Sequence, residues 1–158
     1  MSVPFADQIM KNVDQAAGQY YRLILLVGPS CSGKTTTLQE IHRRTEAPLI
    51  NANLELARRM LDLTDRQRAL RLPRILADLV AVHDADLVLL DNFEILFDTS
   101  LKQDPLKILQ SISRNQTMIA AWNGSVKDGQ LIYAEPDHPE YKRYPAKDFL
   151  SVAMAPKE

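Results

Sequence analysis

The spacing of apolar residues changes several times along the chain, and each change predicts an element. Phe5, Ile9 and Val13, with Ala16 and Ala17 nearby, recur at helical spacing and predict a helix over Val3–Ala17 that Gly18 can cap. It reads as a packing helix, with contact to a ligand as the alternative. A continuous apolar run predicts a strand over Arg22–Val27. A mixed stretch predicts a helix over Gly33–Arg44, broken at Glu46-Ala47-Pro48. Pro48–Asn51 reads as a short strand leading into a helix over Leu54–Leu61. Thr64-Asp65 reads as the start of another helix, and Pro73 as the opening of a further one to about Val82. Asp86–Asp91 holds four consecutive apolar residues, the pattern of a strand buried on both faces. Asp104-Pro105 opens a helix over Leu106–Ser113. Thr117–Trp122 is a strand ended by Asn123-Gly124-Ser125, Lys127–Gln130 a polar turn, and Leu131–Ala134 the last strand. Glu135–Glu158 is a tail rich in Pro, Tyr and charge.

Strands alternating with helices predict an α/β fold with a parallel sheet covered on both faces. The 158 residues suit a single domain over 1–158, with an N-terminal helix and a short C-terminal tail. Hydrophobic content of 46% and charged content of 25% are those of a globular protein. The net charge of −1 does not support DNA binding through bulk charge, although it leaves a local basic stripe open. Arg58, Arg59, Arg66, Arg68, Arg71 and Arg74 form such a stretch. Asp62, Asp65 and Asp78 nearly cancel it, so a solvated helix face is the preferred reading. The absence of a membrane-length apolar run, of a signal core and of a second cysteine predicts a cytoplasmic protein with no membrane partner.

The chemistry lies at the ends of the predicted strands. Gly28-Pro29-Ser30-Cys31-Ser32-Gly33-Lys34-Thr35 fits G-x-x-x-x-G-K-[ST], the Walker A loop, between a strand and a helix. Backbone N–H groups in such a loop, with the positive end of the following helix, surround clustered phosphate charge. Gly28, Pro29, Ser30, Cys31, Ser32, Gly33, Lys34, Thr35 and Thr36 are therefore the candidate nucleotide-binding residues, with ATP and Mg²⁺ the expected ligands. Lys34 would carry charge to the β- and γ-phosphates, and Thr35 would offer a hydroxyl to the metal. Cys31 reads as filler at a variable loop position, with a redox-sensitive thiol as the alternative.

Asp91, ending its apolar strand, is the Walker B candidate and the second metal residue. Glu94 is a candidate for polarising the attacking water, with a helix-start acid or ion-pair role as an equal alternative. Asn123, at the tip of the next strand, is a candidate sensor of the γ-phosphate or water, with a turn Asn as the alternative. Lys34, Glu94 and Asn123 form the candidate catalytic set. Lys142 and Arg143 read as exposed rather than as charge donors to a neighbour, and His42, His83 and His138 show no metal-ligand spacing.

These motifs place the chain with P-loop NTPases that insert a strand between the Walker strands, the ASCE-like class. That likeness predicts a three-layer, mostly parallel five-stranded sheet of order 5-1-4-3-2. The sequence also resembles the BrxF family, small P-loop proteins of type 3 BREX bacteriophage-exclusion systems. The resemblance spans about residues 4–150 and is carried by 4–9, 25–30, 66–74, 89–98, 100–106, 121–124 and 133–136. It implies antiviral defence alongside other BREX proteins: a large ATPase, a phosphatase-like protein, a DNA methyltransferase and a helicase. It also leaves room for a nucleotide-dependent homo-oligomer.

One departure matters. In most ATPases of the class a catalytic Glu follows the Walker B Asp directly, whereas here Asn92 stands there and Glu94 is displaced. Weak or partner-dependent hydrolysis is therefore expected, with Arg114 as a candidate charge donor. A small nucleotide kinase and a non-catalytic, nucleotide-bound scaffold are the alternatives. GTP is less favoured than ATP because no Asn-Lys-x-Asp motif occurs.

Overall fold

The structure, a computed structural model, describes residues 6–29, 32–134 and 142–154, apart from the Ser100 side chain. In chain order the elements are α1 (Ala6–Ala16), β1 (Leu23–Gly28), α2 (Lys34–Thr45), β2 (Leu49–Asn51), α3 (Ala52–Met60), α4 (Asp65–Ala81), β3 (Leu87–Asp91), α5 (Pro105–Ile112), β4 (Thr117–Lys127), β5 (Gln130–Tyr133), β6 (Lys142–Pro145) and β7 (Leu150–Ala153). Two short 3₁₀ turns, Glu94–Phe97 and Thr99–Leu101, lie between β3 and α5. The residues before Ala6, on which the start of the predicted first helix falls, lie outside the described residues, as do 155–158 of the tail.

Five strands run parallel in the order β2-β3-β4-β1-β7. This is the expected 5-1-4-3-2 arrangement, with the extra strand β4 between the two Walker strands. The fifth position, however, is filled by β7 from the tail. The strand expected last, Leu131–Ala134, instead becomes β5 and pairs antiparallel with the far half of β4 and with β6.

Alternation along β1 shows why the sheet has three layers. Leu23, Leu25 and Val27 join one core with residues of α3, α4 and α5, while Ile24 and Leu26 join a second core with residues of α1 and α2. All six residues of β1 are buried, as a strand covered on both faces requires. α1 closes the second core with Ile9 and Ala16. Its Asp7 pairs at 2.8 Å with Arg44, near the end of α2 farthest from the Walker A loop.

Three expectations are corrected. Pro73 does not start a helix: α4 is continuous through it, opened by a reciprocal capping box between Thr64 and Gln67. A mid-helix proline deprives the carbonyl four residues earlier of its donor. Here that carbonyl, Ala69 O, accepts from the Gln103 side chain at 2.6 Å, and the same amide reaches Leu101 O at 2.7 Å. Asn123-Gly124-Ser125 does not end β4, which runs on to Lys127. Asp128 and Gly129, both at positive φ, form the two-residue hairpin turn into β5. The tail is not wholly irregular, since it supplies β6 and β7. Under the resulting wing, Phe97 stacks on Tyr133 with centroids 3.5 Å apart, and Trp122 donates to Ile132 O at 3.1 Å.

Two outcomes check these contacts. Gln103→Leu leaves two carbonyls without this donor and is expected to lower the unfolding free energy by about 1–3 kcal/mol in urea titrations. The loss should shrink in a Pro73→Ala background, where residue 73 regains an N–H for Ala69 O. Glu40 is held down to about 2, from an ordinary 4.5, by hydrogen bonds from Arg43 and then Arg44. Its contribution is therefore full above about 4.5 and lost as pH falls through about 2. Glu40→Gln is expected to flatten that acid limb in denaturation midpoints measured across the window.

Candidate functional site

Parallel register brings the strand ends together. Gly28 lies beside Asn123, and Asn51 beside Asp91. Carboxyl ends of strands in such sheets are where ligands bind.

The loop after β1 needs both of its glycines, for different reasons. Gly33 has φ +91°, the left-handed region, at the residue that opens α2. At Gly28 the limit is space: a Cβ would stand 2.5 Å from Met154 O and 2.7 Å from Ser32 Oγ. Met154 also donates its N–H to Val27 O at 2.7 Å, so the residue after β7 closes the side of the loop.

Lys34 is 6% exposed. Its Nζ donates to Gly28 O at 2.8 Å, Pro29 O at 2.5 Å and Ser32 Oγ at 3.1 Å. The ammonium is thus held against the loop's own oxygens, and Thr37 donates to Gly33 O at 2.8 Å beneath it. Pro29 and Thr36 are exposed. Ser30 and Cys31 lie outside the described residues.

Thr35 and Asp91, expected as a pair, meet across the chain: Oγ1 donates to Asp91 Oδ2 at 2.7 Å. Asp91 is 8% exposed, and its Oδ1 accepts the Asn92 N–H at 2.9 Å. Asn92 has φ +52°, a turn that sends the chain into the 3₁₀ turn beginning at Glu94. There Glu94 Oε1 accepts from Asn123 Nδ2 at 2.7 Å, and Oε2 accepts from Asn53 Nδ2 at 3.1 Å. Glu94 and Asn123 are therefore brought together despite the displacement of Glu94.

Asn53 is a site residue that the sequence reading missed. Its Oδ1 also accepts the Ile95 N–H at 2.9 Å, and its own N–H donates to Asn92 O at 2.6 Å. The available signal was its place just beyond the end of β2, the strand adjacent to β3.

Other candidates lie elsewhere. Arg114 precedes β4, at the amino end of the sheet, with its guanidinium 4.6 Å over the Tyr20 ring. It therefore does not reach the loop of its own chain. Lys142 and Arg143 lie on β6, where Arg143 donates to the Gln130 side chain. In the arginine-rich stretch, Arg58 pairs with Glu55 at 3.6 Å, Arg74 pairs with Asp78 at 3.8 Å, and Arg68 donates to Met60 O and Leu63 O. His42 Nδ1 bonds Ala47 O at 2.6 Å, His83 is exposed, and His138 lies outside the described residues.

A family model described as an AAA domain matches residues 23–99, from β1 through the turns after β3. The fold is that of an AAA-like P-loop NTPase. The chain is also similar to Drosophila ORC in a structure bound to DNA, with 21% identity and a TM-score of 0.45 over 94% of this chain and 41% of that one. Against C. elegans PCH-2 the identity is 15% and the TM-score 0.39, over 95% of this chain and 40% of that one. The chain thus spans about two fifths of each of those chains. No curated protein matches it.

The Asn53 contacts can be weighed directly. Asn53→Ala removes a donor to Glu94 and the acceptor for Ile95 N–H, and is expected to cost about 1–3 kcal/mol in urea unfolding. Leu54→Ala, at a neighbouring residue 46% exposed, should stay within about 0.5 kcal/mol.

Proposed function

We propose that this chain binds ATP with Mg²⁺ and hydrolyses it slowly, or on stimulation by a partner, as a switch or assembly subunit. The observation that carries this reading is the 2.7 Å bond between Thr35 and Asp91. It joins a hydroxyl and a carboxylate, both hard oxygen donors, beside a phosphate-binding loop. Among the described residues no group of three or more His, Cys, Asp or Glu could hold a metal by itself. That fits Mg²⁺, which takes one or two protein ligands and completes its shell with water and substrate phosphates. When bound, the ion would supply positive charge that partly neutralises the phosphates.

The roles of this chain's residues follow. The loop N–H groups from Gly28 to Thr36 receive the phosphate oxygens, and Lys34 moves its charge from the loop carbonyls to the β- and γ-phosphates. Thr35 and Asp91 would hold the cation. Glu94 orients the attacking water, and Asn123 positions that carboxylate and senses the γ-phosphate. Both oxygens of Glu94 already accept from side-chain amides, so the attacking water must share them with Asn53 and Asn123. This favours slow basal turnover. It also supports the second reading, a nucleotide-bound scaffold that does not turn over. The likeness to BrxF suggests the setting, BREX defence with the other proteins of that system and nucleotide-dependent self-association.

Steady-state ATP turnover with and without Mg²⁺, alongside mass measurement with and without ATP–Mg²⁺, tests this reading. Lys34→Ala is expected to abolish ATP binding in calorimetry while the fold persists. Glu94→Gln is expected to retain binding and to lose about 10²-fold or more in turnover. Unchanged turnover in Glu94→Gln removes that carboxylate from the mechanism. Tight ATP binding with no turnover, even with partners, selects the scaffold.

A further inference from the structure

At the amino end of the sheet, one strand length (about 17 Å) from the nucleotide loop, lies a second cleft. It has a volume of about 330 Å³ and is lined by Tyr21, Lys107, Gln110, Ser111 and Arg114. No Leu, Ile, Val or Met lines it. Tyr20, at its edge, is 64% exposed. The two tyrosine rings meet edge to face at 4.8 Å, and the Arg114 guanidinium lies 4.6 Å over Tyr20. Arg22 donates to the Arg114 carbonyl at 2.8 Å, which ties the start of β1 to the segment leading into β4. Two rings and three cations are thus fixed on one surface. The acids nearest by contact are Asp104, 3.9 Å from Lys107 Nζ, and Asp148, whose carbonyl accepts Gln110 at 3.4 Å. Arg114 has no carboxylate partner among the described residues; its guanidinium lies on the Tyr20 ring and its carbonyl accepts from Arg22.

An exposed tyrosine under a guanidinium contributes little to the core of its own chain, but it offers a ring face to a flat ligand. Phosphate-binding cations interleaved with exposed aromatic rings are the chemistry that holds unpaired bases along a charged backbone. A duplex keeps its bases stacked inside and cannot use those rings. Tyr and Arg also anchor protein interfaces, but there they seat in well-packed, desolvated pockets, and this cleft has no Leu, Ile, Val or Met to exclude water around them. Apolar lining occurs instead in the neighbouring cleft of about 300 Å³, beside Pro73, Ala77, Ile108 and Ile112 on the other flank of Lys107 and Ser111.

We propose that this surface binds single-stranded nucleic acid, with Arg22, Lys107 and Arg114 on the phosphates and a base stacked on Tyr20 or Tyr21. The site is separate from the Walker residues, so the proposal does not rest on ATP chemistry.

The test is fluorescence anisotropy of a labelled oligothymidylate with the full chain at low salt, against a duplex of equal length and a polyglutamate peptide. The expected result is micromolar binding of the single strand that weakens as salt rises. Tyr20→Ala should weaken it about tenfold and Tyr20→Phe should retain it, because the ring carries the stacking. Lys107→Glu, on the exposed face of α5, should weaken it and reduce the salt dependence, while ATP binding stays unchanged in all three variants. Failure of the single strand to bind at 100 µM protein overturns the proposal. So does equal binding of duplex with no effect of Tyr20→Ala, which would mark a charge-only contact. Polyglutamate binding as tight as oligothymidylate would instead assign the surface to an acidic protein.

Discussion

A parallel sheet buried on both faces is the constraint from which the site follows. β1 exposes no residue along its length, so its polar chemistry can be placed only where the strands stop. The register then decides which strand ends meet. Gly28 arrives beside Asn123 and Asn51 beside Asp91, and β4 between them links the phosphate loop to the acid-bearing strand. Thr35 reaches Asp91 because α2 turns back from the end of β1 and β3 stops two residues below that end in the register. None of these contacts requires a long or flexible segment.

Much of this was legible from the chain, because the informative signals were local. Walker A is a short run whose glycines, lysine and hydroxyl each have a fixed job, and the apolar run before Asp91 marks a strand without reference to other elements. Asn53 was not legible, because its role depends on β2 lying next to β3 and on a turn at Asn92 that carries Glu94 back toward it. The departure at Asn92 was visible in the sequence. Its remedy, a left-handed turn followed by a 3₁₀ turn, was not.

The misread segments share a cause. Pro73 ordinarily ends a helix, and here a side chain from another part of the chain, Gln103, supplies the missing donor. Asp128-Gly129 carried a hairpin signal, and its meaning depended on whether β4 continued past Asn123. β6 and β7 have four residues each and mixed polarity, too short for a period to stand out from a loop. In each case a tertiary partner decided what local preference left open.

Met154 links two parts of the molecule that the sequence keeps far apart. β7 is a four-residue strand paired on one side, to β1, and such edges open at lower free energy than the strands they border. Its following residue closes the flank of the phosphate loop and would collide with any side chain at Gly28. Fraying of the sheet's margin would therefore take away one wall of the phosphate cradle, so the edge strand and the cradle share a contact that neither keeps alone.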